Sequence, residues 1–140
     1  MNLQAFMAQN VEKVEVREEV ISKRIKDENG PIKWRFEPIS GVEEDAIRKT
    51  CTKKVPHPSN KKMLIPETDH ALFITKVTVA TIKFPDLHNA ELQDSYGVKS
   101  AEELLGRMLI PGEIAEAKTV AQEVNGYDID FDDLVEEAKN

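Results

Sequence analysis

A chain of 140 residues has room for one domain with a core of its own, and 40% apolar with 32% charged residues suits a globular protein rather than a disordered one. The single cysteine excludes a disulfide framework and a multi-cysteine zinc site, and no run approaches the roughly 18 apolar residues of a membrane-spanning helix. The net charge of −7 is uneven: residues 1–85 carry a net +3 and residues 86–140 a net −10. An acidic second half repels phosphate, so neither nucleic acid nor membrane is an expected partner. Met1-Asn2-Leu3-Gln4 lacks the basic start and apolar run of a signal peptide, and the expected location is cytoplasmic.

In chain order, residues 1–12 carry little pattern and are expected either to fray or to form a short helix that docks only on a partner. Residues 13–38 read as a β-hairpin. Val14 and Val16 alternate with charges, Asn29-Gly30-Pro31 marks the turn, and Ile32, Trp34 and Phe36 alternate with Lys33, Arg35 and Glu37. Ser40 and Glu43 form a capping box, opening a helix over 42–53 with Val42, Ala46, Ile47 and Cys51 on one face. Two prolines make 53–60 the expected mobile loop. Residues 69–84 are rich in Val, Ile and Thr, as strands are. They are nevertheless too long for one, and helical spacing of Phe73, Ile74, Val77, Ala80 and Phe84 predicts a helix. Ser100 and Glu103 begin another helix containing Leu104, Leu105, Met108 and Leu109. Pro111-Gly112 starts the next, which stops at Asn125-Gly126, and Phe131, Leu134, Val135 and Ala138 predict a short terminal helix. The expected architecture is a single α+β domain spanning 1–140: an N-terminal β-hairpin or small antiparallel sheet, then a mainly helical 40–140 with about five α-helices.

Constellations for catalysis are weak. Asp128-Ile129-Asp130-Phe131-Asp132 opens like a calcium loop, but Asp133 stands where Gly is required and Lys139 where a bidentate Glu is required. His57, His70 and His88 have no second ligand at helical spacing. Cys51 sits on an apolar helix face, and there is no glycine-rich phosphate loop. No enzyme, metal or cofactor is expected. Leu104, Leu105, Met108, Leu109 and Ile110 exceed what one helix turns toward its own core, which makes Leu105, Met108, Leu109 and Ile110 candidate partner-binding residues.

The stretch from Phe84-Pro85-Asp86-Leu87 through Glu91-Leu92-Gln93 to Tyr96-Gly97-Val98 resembles the corresponding stretch of phage tail assembly chaperones. The specific resemblance is to the XkdN-like branch of phages and prophages of Gram-positive bacteria. It continues through Leu104-Leu105, Met108-Leu109-Ile110-Pro111-Gly112-Glu113 and Val124-Asn125-Gly126-Tyr127, and it covers nearly the whole chain. The resemblance implies a non-enzymatic chaperone that binds the tape measure protein, keeps it soluble before the tail tube polymerises around it, and is absent from the finished particle. It also implies a longer form, made by programmed frameshifting near the C-terminus, that recruits the tail tube protein. The alternative is a structural adaptor that stays in a phage-like particle.

Overall fold

The computed structural model describes residues 2–127. Residues 2–16 are exposed and contain one short 3-10 turn, Gln4–Phe6. Strand β1 (Arg17–Val20) then leads to a two-residue ladder, β2 (Lys26–Asp27) with β3 (Gly30–Pro31), and back along β4 (Lys33–Phe36). The turn works as its residues dictate. Asp27 accepts from the Asn29 N–H at 2.8 Å, and Gly30 takes the positive φ of 111°. Pairing is antiparallel, with Arg17 opposite Phe36 and Glu19 opposite Trp34. The hairpin is therefore present, but it begins at Arg17 rather than at residue 13. The alternation at its start also faces the other way: Val14, Val16 and Val20 are exposed, whereas Arg17 and Glu19 are half-buried. Ion pairing permits this, because the Arg17 guanidinium bonds Glu19 at 2.7 Å and Glu123 at 2.5 Å.

Helix α1 (Gly41–Thr50) starts where Ser40 accepts from the Glu43 N–H at 3.1 Å. Val42, placed on its apolar face by spacing, is exposed; Ile47 and Cys51 face inward. The expected mobile loop at 53–60 is corrected here: β5 (Thr52–Pro56) pairs antiparallel with β6 (Leu64–Thr68). Prolines signal a break when they must donate to a ladder. A two-stranded ribbon has two free edges, where Pro56 and Pro66 are tolerated. The base of the ribbon is fixed by the Thr52–Thr68 hydroxyl pair at 2.7 Å and by the Asp69 N–H donating to the Cys51 carbonyl at 2.8 Å.

Helix α2 (His70–Thr81) resolves the strand-or-helix ambiguity in favour of helix over most of its length. Asp69 caps it by accepting from the Leu72 N–H, and Thr75, Thr78 and Thr81 donate their hydroxyls one turn back to Ala71, Ile74 and Val77. The same threonines that raise β propensity are thus satisfied within the helix. The last three residues of the expected helix are instead β7 (Ile82–Phe84), which adds to β4 with Ile82 opposite Phe36. Pro85 disfavours helical backbone at Phe84, and the free edge of β4 offers that backbone its partners. The main sheet is antiparallel in the order β1-β4-β7.

A helix not expected from the sequence, α3 (Ala90–Ser95), is capped by Asn89 accepting from the Leu92 N–H at 2.8 Å. Helix α4 (Ala101–Met108) is capped by Ser100, and α5 (Pro111–Val124) begins on proline. Five helices accordingly lie among the described residues, while the expected helix over 131–138 lies outside them. Helix α2 packs against α1, α4 and α5, and α5 also meets β4. The main core joins Trp34, Phe36 and Ile82 of the sheet to Leu104, Leu105, Val120 and Ala121 of the helices. At its edge Asn125 ties three elements together. Its carboxamide oxygen accepts from the Ile39 N–H at 2.9 Å, and its amide donates to the Thr81 hydroxyl and the Ala121 carbonyl.

Candidate partner-binding surface

The four candidate residues separate. Leu105, Met108 and Leu109 are buried in the main core, together with Leu104; Ile110 is 54% exposed. Helix α4 buries one face, Ala101, Leu104, Leu105 and Met108, and leaves Glu103, Gly106 and Arg107 exposed, while Leu109 joins the core from the extended backbone just after the helix; the leucines of this stretch therefore serve the protein's own core. Ile110 stands apart for a second reason. It holds the N-cap position of α5, where its side chain offers no acceptor and leaves the capping bond unmade. The Glu113 carboxylate compensates by accepting from the Ile110 N–H at 3.0 Å.

Glu113 also locks the junction of α4 and α5 to the first hairpin. Arg24 donates to its carboxylate at 2.5 Å and to the Met108 carbonyl at 3.1 Å. Arg24, then the Ser22 hydroxyl, hold the Glu113 carboxyl down at about 2, against an ordinary 4.5. Because the native pKa is depressed, this carboxylate's contribution is complete above about 4.5 and is lost as pH falls toward 2. Urea midpoints should fall across that window in the wild type and fall less in Glu113→Gln. Equal slopes would remove Glu113 from the acid response.

Beside this junction lies an apolar groove of about 150 Å³. Ile25 and Ile32 form one wall, linked by the Ile32 N–H donating to the Ile25 carbonyl at 3.0 Å. Phe84 and Pro85, joined by a cis peptide bond, form another. Leu92 of α3 and Tyr96 at its C-cap close it, with Trp34 and Met108 also lining it. Small-molecule pockets run to about 300–1,000 Å³, so this volume suits one or two apolar side chains of a protein partner better. Phe84 is 49% exposed at the rim, where it extends the apolar lining of the groove outward. Sequence reasoning missed the groove because its walls come from four separated segments. The signal was present in the Phe84-Pro85 stretch, which carried the family resemblance without a stated role.

Cys51 is buried with Phe73 and Val77, and the Thr50 hydroxyl lies 3.8 Å from its sulfur. His57 accepts from the Ser59 N–H at 2.9 Å, organising the turn of the β5–β6 ribbon. Among the described residues no group of three or more His, Cys, Asp or Glu side chains is placed to hold a metal ion, and no helix is long and apolar enough to cross a membrane.

The protein YqbN of Bacillus subtilis is 34% identical over 144 residues, covering 99% of this chain and 93% of that protein. The phage-like element PBSX protein XkdN of the same organism is 32% identical over 124 residues, covering 86% of this chain and 81% of its own. A crystal structure of YqbN superposes with a TM-score of 0.77 at 27% identity, over 91% of this chain and 98% of that one. The family profile described as phage XkdN-like tail assembly chaperone protein matches residues 3–139, and the chain therefore belongs to the XkdN-like family of phage tail assembly chaperones.

Proposed function

We propose that this protein binds the tape measure protein in the bacterial cytoplasm and keeps it soluble while the tail tube assembles, without catalysing a reaction. The observation that carries this reading is the family match over residues 3–139. A long amphipathic chain awaiting its tube exposes apolar surface that aggregates unless it is covered. The groove rimmed by Phe84, with Ile110 at the neighbouring junction, offers this chain a place to cover it. Recruitment of the tail tube protein by a frameshifted longer form belongs to the same proposal.

The test is co-expression with the tape measure protein, followed by pull-down. Phe84→Asp should weaken capture at least about tenfold, the loss expected of an interface anchor, and leave more tape measure protein insoluble. A surface substitution within about 0.5 kcal/mol moves the melting temperature by only about 2 °C, which separates a binding loss from unfolding. Unchanged capture would exclude the groove as the contact. Stoichiometric presence of the protein in purified tails would favour the structural adaptor instead.

A further inference from the structure

Apolar side chains and burial part company before the first strand. The eleven residues up to Val11 hold no charged side chain, in a chain of which 32% is charged. Leu3, Phe6, Met7, Val11 and Val14 recur at helical spacing, which sets all five on one side of a helix. Every one of them is exposed, Phe6 at 79%. The segment already holds turns of that helix. Beyond the 3-10 turn at Gln4–Phe6, the Asn10 and Val11 N–H groups both donate to the Met7 carbonyl, and the Asn2 carboxamide accepts from the Gln4 N–H at 2.9 Å. An isolated helix this short is marginal in water, so an apolar surface is needed to complete it.

The groove walled by Ile25, Ile32, Phe84 and Leu92 is a surface of matching chemistry, about 150 Å³ in volume and lined by no residue of this segment. We propose that residues 3–14 of one copy dock as a helix in the groove of a second copy, with Phe6 and Met7 inserted beside Phe84, and that the exchange is mutual. Three features select this occupant. An uncharged arm suits a lining of aliphatic and aromatic side chains, and the volume suits one or two of its own. Strand register favours a neighbour's groove over the chain's own. Val20 lies opposite Lys33, so the wall made by Ile25 and Ile32 stands where β1 finishes, whereas the arm enters β1 at Arg17, the other end. Reaching its own groove would require the arm to double back along that strand. Area is the third feature. At roughly 100 Å² for each of five apolar side chains, two arms and the two surfaces they cover reach the roughly 1,200–2,000 Å² of a specific interface, and a single arm falls short. Resting on the tape measure reading, the consequence is a groove covered in the free protein until that partner displaces the arm.

The experiment is sedimentation velocity on the full chain over a dilution series, with a dimer expected at high concentration and a monomer at low. Phe6→Asp with Met7→Asp should weaken dimerisation at least about tenfold and leave the melting temperature in place, since neither side chain belongs to the core. Phe84→Asp should weaken it equally from the groove side. Mixing the arm variant with the groove variant should restore part of the association, because that pair keeps one intact arm and one intact groove. In a mixture of 15N-labelled and unlabelled chains, a photo-reactive phenylalanine at position 6 should cross-link to residues 84–96 in peptides of mixed isotope. A monomer up to millimolar concentration, a dimer unchanged by the arm substitutions, or cross-links confined to single chains would overturn the proposal. The protein is measured alone, so these outcomes leave capture of the tape measure protein untouched, and a failure of that capture leaves them untouched.

Discussion

Trp34→Ala will lower the free energy of unfolding by about 3–5 kcal/mol, a large part of the roughly 5–15 kcal/mol that holds a domain of this size together. The indole is 1% exposed, lies opposite Glu19 in the sheet and belongs to the main core. Its removal opens a cavity between the first hairpin and α4 that the surrounding leucines can only partly collapse into. The check is a pair of measurements. Denaturant unfolding should give the loss, and native tryptophan emission should be blue-shifted and poorly quenched by iodide. Free quenching in the folded protein would contradict the burial on which the magnitude rests.

The second large effect separates neighbours in the sequence. Leu105→Ala should cost about 2–5 kcal/mol, because the side chain is fully enclosed. Five residues later, Ile110→Ser should stabilise the protein by about 1 kcal/mol. Serine at the N-cap of α5 supplies the missing acceptor and, with Glu113, completes a capping box. If Ile110 contacts a partner, the same Ile110→Ser protein will be more stable and bind less well. Opposite signs of stability and capture at one residue are the mark of a side chain kept at the surface against the local preference of its helix. Loss of stability in Ile110→Ser would show instead that the isoleucine packs usefully where it is.

Those two residues also show how far the sequence carried the reading. Serine caps, the Asn-Gly turn and the Trp34–Phe36 alternation are local rules, and the elements they predict appear. The ribbon at 52–68 did not follow from local rules. Its strands hold together through cross-strand pairs such as Val55 with Ile65, which no window of neighbouring residues reveals. Nor did the end of α2: whether Ile82 continues a helix or joins a sheet depends on β4, almost fifty residues earlier, having a free edge. The leucine-rich stretch was legible as strongly apolar, but the end of its helix at Met108 was not, which leaves Leu109 and Ile110 in extended backbone with one buried and the other exposed. Ile110 could have been singled out by one further step. An isoleucine directly before Pro-Gly-Glu stands where a helix asks for a capping side chain.

The β5–β6 ribbon has one more consequence. Among the described residues, neither apolar cluster draws a side chain from it, and it is secured to the body only at its base. Its length is thereby uncoupled from the packing of the domain. Adding or deleting residues in facing pairs moves the tip and preserves which side chains share a face. The reach of this arm is a dimension that can change without the fold having to be solved again.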